Sequence, residues 1–326
     1  MIASACLACA PEFEVDLALV DRPRVIAMIA TPAEAGPGET VTLSALVATP
    51  EGTSVDATLD WSLCLARRPL AELGPIAPAC VALQADAIAA IGEGTSVEAT
   101  LPEDACRLFG PEPPAAMPGE PTGRPVDPDP SGGYFQPILG RFVGDDTDEL
   151  DVLRVRLACG LSGATQAQAA EYTLRAQRNV APAITEFATG DGSTTVGVGE
   201  PLDLRVRWTA CPRESTCGDQ LCSLDEASTC ADDCMTTTGC AGAETHVFFD
   251  PLALEIAVRR EAIGVTWYAT AGEFDEARTG RASDDDEAGS DNVWTAPDEP
   301  GTVHLWAVLR DDRGGVGWAS LDLAVE

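Results

Sequence analysis

Alternation of apolar and polar residues runs through most of the chain and restricts its fold more than any other feature. Val41, Leu43 and Ala45 alternate with threonine and serine, and Leu202 and Leu204 are separated by a charged residue. A period of two places successive side chains on opposite faces of a β-strand. The runs are bounded by glycine, proline or aspartate, as strands joined by turns are. The pattern predicts an all-β fold built from β-sandwiches.

The chain has room for two such domains. Its 326 residues suit two domains of ordinary size, and 45% hydrophobic residues are enough to give each a core. We predict an N-terminal segment that is a signal remnant and tether, followed by two sandwiches: residues 1–22, 23–180 and 183–326. We expect a long Pro- and Gly-rich loop at about 107–140 in the first sandwich and a cysteine-rich insert at 211–240 in the second.

The aromatic residues and the last alternating run of the first half give further expectations. Three tryptophans on apolar faces are expected in the cores: Trp61, Trp208 and Trp267. Two others are expected at the surface, where they would contact a glycan or a protein: Trp306 and Trp318. Three residues of one face predict a further strand near residue 175: Tyr172, Leu174 and Ala176.

Short motifs in the second half resemble bacterial immunoglobulin-like or PKD-like modules. They are residues 265–267 (VTW), 294–297 (WTAP), 300–303 (PGTV) and 310–316 (RDDRGGV). The paired glycines at 314–315 are expected to supply the positive φ of a hairpin turn. Residues 36–43 and Trp61 resemble the same modules more weakly. The resemblance implies two immunoglobulin-like β-sandwich domains, a type that serves as spacers or binding units on surface proteins.

Six cysteines crowd into thirty residues of the second domain: Cys211, Cys217, Cys222, Cys230, Cys234 and Cys240. Their spacing contains no C-x2-C pair, which argues against a zinc knuckle and a thioredoxin-type redox site. Because few apolar residues lie between them, the segment cannot form a hydrophobic core. We predict a small insert held by three disulfides, whose connectivity the sequence leaves open.

The insert resembles a short motif of secreted proteins, C-G-D-G-x-C-x-x-x-E-x-x-x-x-C-x-x-D-C. Gln220 and Ala231 replace a glycine and a proline of that motif, whereas its acids are kept: Asp219, Glu226 and Asp233. Oxygen ligands on a cross-linked loop suit calcium, so these three acids are candidate ligands, and no other cofactor is expected. The alternative is that they cap turns and remain solvated.

The other cysteines of the mature chain also pair in this interpretation. Cys64 and Cys80 would close a loop of about 15 residues, which contributes about 3 kcal/mol. Cys106 and Cys159 then pair by elimination. With all ten cysteines from Cys64 to Cys240 in disulfides, the sequence favours an oxidising compartment.

The N-terminus points to export as well. Residues 2–6 (IASAC) resemble the lipobox of bacterial lipoproteins, which implies lipidation of Cys6, with the signal truncated by a late start codon. Cysteine parity favours Cys9 instead, since removing both Cys6 and Cys9 leaves an even number. The alternatives are two spare thiols or a Cys6–Cys9 pair in a frayed tail.

Charge and composition restrict the partners and the chemistry. A formal net charge of −33 repels nucleic acid and anionic lipid, so contact with a membrane is expected through a lipid anchor. His246 and His304 have no nearby Ser or Cys in the sequence, and no catalytic residue is assigned. Because acids number 53, no carboxylate pair stands out.

The sequence thus predicts a non-enzymatic, exported lipoprotein of the outer membrane, cell surface or periplasm. Its role would be structural or adhesive, with an unidentified protein or glycan as partner and a binding site that the sequence does not locate. The alternative is an exported hydrolase, or an accessory domain of one, that uses surface carboxylates.

Overall fold

The computed structural model describes residues 17–67, 76–110, 133–144, 147–161, 164–211, 239–250 and 253–326. Strands dominate these ranges. No helix within them has the length and apolar character needed to cross a membrane.

The first sandwich has two sheets. Sheet I has the order β1-β3-β4, with β7 also paired to β3, and sheet II has the order β2-β9-β8-β5-β6. Their strands are β1 (Arg24–Thr31), β2 (Glu34–Ala35), β3 (Thr40–Thr49), β4 (Gly52–Thr53), β5 (Leu59–Cys64), β6 (Ile88–Gly94), β7 (Ser96–Thr100), β8 (Phe135–Val143) and β9 (Asp148–Leu157). The helices of this half are α1 (Pro78–Val81), α2 (Ala105–Leu108) and α3 (Gln166–Arg175).

The second sandwich repeats this plan. Sheet III has the order β10-β12-β18-β16, sheet IV has the order β11-β20-β19-β15-β17, and β13 and β14 form a separate hairpin. The strands are β10 (Ile184–Thr189), β11 (Thr195–Val196), β12 (Pro201–Trp208), β13 (Thr245–Asp250), β14 (Glu255–Arg260), β15 (Ile263–Ala269), β16 (Glu273–Phe274), β17 (Arg278–Arg281), β18 (Gly289–Thr295), β19 (Gly301–Asp311) and β20 (Val316–Val325).

Both sandwiches have immunoglobulin-like topology. In each, the short second strand pairs in parallel with the last strand: β2 with β9, and β11 with β20. The remaining ladders of both sandwiches are antiparallel, and each sandwich carries a buried tryptophan on its third long strand, Trp61 or Trp267. The prediction of an all-β fold with two immunoglobulin-like sandwiches is confirmed.

The cores follow from the alternation in the sequence. Val41 and Leu43 of β3 are fully buried in the first core beside Trp61, while the alternating residues Thr40 and Thr42 are exposed. In the second core, Trp267 donates its indole N–H to Thr279 Oγ1 at 2.9 Å, which removes the cost of burying a polar group. Trp208 and Trp267 are buried as expected, and Trp294 joins them.

The strand predicted from Tyr172, Leu174 and Ala176 is wrong, because residues 166–175 form α3. The Thr165 side chain accepts from the Gln168 backbone N–H, and the Gln168 side chain accepts in turn from Thr165 N–H at 2.8 Å. This capping box starts the helix, and three alternating residues are too short a pattern to outweigh it.

The two sandwiches pack side by side along a seam between the outer faces of sheets I and IV. Its members are Val20, Ile26, Ala27, Leu46, Ala48, Tyr268, Trp306, Val308 and Val316. The expectation that Trp306 is exposed is therefore wrong, since it is 0% exposed and donates its indole N–H to Thr53 Oγ1 at 2.9 Å. Trp318, at the edge of the same face, is 37% exposed.

Two predicted boundaries change in the structure. Residues 17–20 do not extend as a free tether, because Val20 N–H donates to Ala269 O at 2.8 Å and Ala269 N–H donates to Ala18 O at 3.0 Å. This pairing satisfies the backbone N–H and C=O of Ala269 at the end of β15, beyond the residues of β15 that pair with β17. The long loop expected at about 107–140 is interrupted earlier, since β8 begins at Phe135.

Candidate functional site

Three disulfides lie within the described ranges. Cys64 bonds to Cys80 and Cys106 bonds to Cys159, the two pairs that the sequence predicts for the first sandwich. Cys211 bonds to Cys240 with a Cα–Cα distance of 5.9 Å and closes the base of the insert. The first pair joins β5 to α1, and the second joins α2 to the segment after β9.

Several predicted site residues lie outside the described residues. They are the lipidation candidates Cys6 and Cys9, the cysteines Cys217, Cys222, Cys230 and Cys234, and the candidate calcium ligands Asp219, Glu226 and Asp233. Elsewhere in the described ranges, no three His, Cys, Asp or Glu side chains are grouped so as to hold a metal ion.

A cluster of charged side chains is buried where the two sandwiches meet, at one end of the seam. We call it the junction, and its members are Glu34, Arg156, Asn179, Glu244, Glu261, Asp311 and Arg313. Glu34 and Arg156 belong to β2 and β9 of the first sandwich. Asn179 lies between the sandwiches, and the other members come from the second. The junction therefore joins the two domains through polar contacts.

Arg313 is the centre of the junction and is 2% exposed. One guanidinium nitrogen, Nη1, contacts Glu244 and lies 3.4 Å from Glu261 Oε1. The other, Nη2, lies 3.3 Å from Glu34 Oε2 and donates to the Gln177 carbonyl at 2.9 Å. The planar fork of arginine allows one side chain to contact both sandwiches at once.

Asp311 builds the turn that carries Arg313. Its Oδ1 accepts from Arg313 N–H at 2.9 Å and from Gly315 N–H at 2.7 Å, and Asn179 Nδ2 donates to Oδ2 at 3.2 Å. Of the two glycines expected to have positive φ, Gly314 does, at 98°. Gly315 is instead required by space, because a Cβ there would lie 2.1 Å from Asp311 Oδ2.

Burial is the first cause of the carboxyl pKa shifts in the junction. Burial raises the pKa of Glu261 well above its ordinary 4.5; nearby Asp311 adds to this and Arg313 opposes it. Burial also raises the pKa values of Glu244 and Asp311. His246, on β13 beside the junction, has its pKa lowered to about 2, first by burial and then by Arg313, so its imidazole is neutral at physiological pH.

The base of the insert is connected to the junction. Cys240 N–H donates to Glu244 Oε2 at 2.8 Å, while the other oxygen of Glu244 contacts Arg313. The Glu244 backbone N–H in turn donates to Glu261 Oε2 at 3.1 Å. The disulfide-closed insert thus shares a buried carboxylate with the contact between the domains.

The second candidate site is an open groove of about 940 Å³ over sheet III. Its lining residues with charged side chains are Asp191, Asp203, Arg205, Asp275, Glu276 and Asp291. Arg207 Nη2 lies 3.1 Å from Asp291 Oδ1 at the groove wall. The excess of acids over arginine in the lining gives the groove a negative potential, which favours cationic or hydroxyl-rich ligands.

The remaining histidine forms a surface pair. His304 Nδ1 lies 2.7 Å from Asp322 Oδ1 across the β19–β20 ladder. Gly52 approaches the same ring so closely that a Cβ there would be 3.3 Å from it. The pair lies at the rim of the seam and helps to fill the space between sheets I and IV.

Sequence reasoning missed the junction. Its carboxylates lie far apart in the chain and are four among 53 acids, so no spacing distinguishes them. The one available signal was Arg313, a charged residue inside a turn whose neighbouring glycines indicate tight packing.

Comparisons with known proteins give no assignment. No protein-family model and no curated protein matches the chain. Among solved structures, the D00–D0 domain of intimin is 8% identical, with coverage of 93% of this chain and 98% of that one and a TM-score of 0.22. The adhesin InvE of Yersinia pseudotuberculosis is 9% identical, with coverage of 91% and 58% and a TM-score of 0.23.

A glycosyl hydrolase family 2 member from Bacteroides cellulosilyticus is 8% identical, with coverage of 89% of this chain and 23% of that one and a TM-score of 0.21. Similarities at this level carry no argument about function. The immunoglobulin-like assignment rests on the strand pairing described above.

Proposed function

We propose that the protein is an exported, non-enzymatic surface module in which two immunoglobulin-like sandwiches form one rigid body for display or for binding a protein or glycan. The observation that carries this proposal is the junction. Its buried charged side chains join the domains and do not line an accessible cleft. Two domains fixed by a polar junction and an apolar seam keep a constant relative orientation, which a spacer or binding module requires.

Export is supported by the three disulfides. Cys64, Cys80 and Cys106 are buried, and such bonds persist in oxidising compartments. The groove over sheet III is the candidate contact surface, because it is concave and open and presents several hydrogen-bonding side chains. The same groove favours the alternative function, an exported hydrolase with two surface carboxylates.

One experiment separates binding from hydrolysis. The purified protein is applied to a glycan array and incubated with chromogenic glycosides, esters and peptides, beside the variants Asp203→Asn and Asp291→Asn. We expect no turnover by any form, and weaker glycan binding by the variants if the groove is the contact surface. Turnover that disappears in either variant would establish the hydrolase instead, because it would assign a catalytic role to a groove carboxylate.

A lipid anchor at Cys6 or Cys9 belongs to the same proposal. We expect the gene product expressed with its upstream residues to incorporate labelled palmitate, and Cys6→Ser or Cys9→Ser to abolish the label at the modified position. One acyl chain binds a protein to a membrane only weakly, and stable anchoring needs a second lipid or further contacts with the membrane. Recovery of the unlabelled protein in the soluble fraction would contradict anchoring without affecting the binding proposal.

Calcium binding by Asp219, Glu226 and Asp233 also remains a proposal. Calcium takes six to eight oxygen ligands, so three carboxylates would need carbonyl oxygens or water beside them. Calorimetric titration of Ca²⁺ into the protein and into an Asp219→Ala, Asp233→Ala double variant tests it, and equal heats for the two forms would refute it.

A further inference from the structure

Acids outnumber bases in the junction. Four carboxyl groups, from Glu34, Glu244, Glu261 and Asp311, meet two guanidinium groups, from Arg156 and Arg313, and all six side chains are buried. Among the described members of the junction, two negative charges would remain without a paired arginine if every group were ionised, and all of these side chains are buried. Such charges cost several kcal/mol each, so a buried group of this kind takes up a proton instead.

The contacts show which carboxyl group is least compensated. Asp311 accepts from three N–H donors, and Glu34 accepts from Asn179 N–H at 2.9 Å while lying 3.3 Å from both arginines. Glu244 contacts Arg313 and accepts from Cys240 N–H at 2.8 Å. Glu261, 0% exposed, has Arg313 Nη1 at 3.4 Å and one backbone donor, Glu244 N–H, at 3.1 Å.

The charges around Glu261 also indicate that it is the least compensated carboxyl group of the junction. Asp311 and Glu244 repel its charged form and Arg313 attracts it, and the burial described above adds to the repulsion. Further charged or titratable groups surround Arg313 and the hairpin: Glu34, Arg156, Tyr172, His246, Arg259 and Asp312. His246 is neutral and Arg259 is occupied by Asp312 at 2.9 Å, so neither supplies a spare positive charge to Glu261.

We propose that the junction is a proton-dependent latch: Glu261 holds a proton while the two sandwiches are docked, and loss of that proton to solvent base weakens the docking. The ionised Glu261 would compete with Glu34 for Arg313. Since Glu34 belongs to the first sandwich and Glu261 to the second, this competition acts directly on the contact between the domains.

The direction in which stability changes with pH follows from the difference between the pKa values of Glu261 in the docked protein and in the unfolded chain. A carboxyl group whose pKa is higher in the docked protein than in the unfolded chain contributes its full stability below the unfolded pKa, about 4.5 for glutamate. That stability is lost as the pH rises through the docked-state pKa. The exposed pairs Arg178–Glu39 and Arg141–Asp148 act in the opposite direction, because their arginines lower the carboxyl pKa values and their contribution is lost on acidification.

The test replaces Glu261 with glutamine, which keeps the shape and an oxygen that accepts from Glu244 N–H but cannot ionise. The unfolding equilibrium constant and the radius of gyration from small-angle scattering are measured from pH 5 to pH 10. We expect the unfolding constant of the wild type to rise by up to about tenfold more per pH unit than that of Glu261→Gln, since one proton differs. We also expect alkaline expansion in the wild type alone.

The matched control is Glu255→Gln, at the exposed start of β14, the strand that ends directly before Glu261, and it should keep the pH dependence of the wild type. Equal pH dependence in the wild type and Glu261→Gln would overturn the latch. Should Glu261→Gln not fold, carbon NMR of the glutamate side chains in the wild type decides. A carboxyl signal assigned to Glu261 that titrates far above those of the exposed glutamates supports the latch, and a Glu261 signal that titrates with them refutes it.

Discussion

Replacement of Arg313 with methionine is expected to lower the free energy of unfolding by about 3–5 kcal/mol, because it leaves buried carboxyl groups without their partner. Arg313 contacts Glu34, Glu244 and Glu261 and also donates to a backbone carbonyl. Methionine fills a similar volume, so the change removes charge and hydrogen bonds with little loss of packing. Urea denaturation followed by tryptophan fluorescence measures the effect.

The matched control is Arg141→Met. Arg141 forms a good ion pair with Asp148, at 2.7 Å, but both side chains are exposed to water. Solvent screening makes such a pair contribute little, so the denaturation curve should stay close to that of the wild type. A loss of stability in Arg313→Met no larger than in Arg141→Met would show that the junction does not hold the domains together.

The effects of substitutions at Arg313 and Glu261 on the free energy of unfolding should not be additive. In Arg313→Met the excess of acids grows, so Glu261→Gln is expected to restore part of the lost stability at neutral pH. Residues in direct contact deviate from additivity by about 0.5–3 kcal/mol in double-mutant cycles. This rescue depends on ionisation and should vanish well below the unfolded-state pKa of glutamate, where residue 261 is protonated in both the folded and the unfolded chain.

The sequence predicts the sandwiches well because the alternation within each strand shows which of its faces is buried. Val41 and Leu43 indicate a core without knowledge of any partner, and Trp61 and Trp267 lie where alternation predicts. Trp306 shows where prediction from alternation fails. Its neighbours on the opposite face fill the core, so the sequence places it outside, yet that outer face is covered by sheet I. Local periodicity identifies the two faces of a strand but does not reveal a second domain packed on the outer one.

The junction could not be predicted for a related reason. Glu34 and Glu261 are separated by more than two hundred residues and are brought together by the docking of complete domains. Neither residue differs in its local sequence from the many solvated acids. The turn at 310–315 was predicted, but the role of Arg313 depends on what approaches that turn from the first sandwich. Burial of charge is a tertiary property, and single-sequence patterns report it poorly.

Removal of the Cys106–Cys159 disulfide is expected to lower the free energy of unfolding by an amount similar to that of Arg313→Met. The two cysteines are 53 residues apart, and a cross-link closing a loop of that length restricts the unfolded chain by about 4 kcal/mol. The loop includes the Pro- and Gly-rich segment, whose freedom in the unfolded state increases when the bond is absent. A Cys106→Ala, Cys159→Ala double variant, compared by urea denaturation, measures this loss.

The Cys64–Cys80 pair is the matched comparison, because both its cysteines are buried and its sequence separation is 16. The same entropy argument gives about 3 kcal/mol for that loop, so its double alanine variant should be the more stable of the two. Incubation of the wild type with reductant should lower stability by at least the combined loss, because Cys211–Cys240 is reduced as well. The opposite order of the two variants would mean that local packing around the sulfurs, rather than loop length, determines their contribution. Under the proposed export, reducing conditions should therefore unfold the first sandwich more readily than any single surface substitution does.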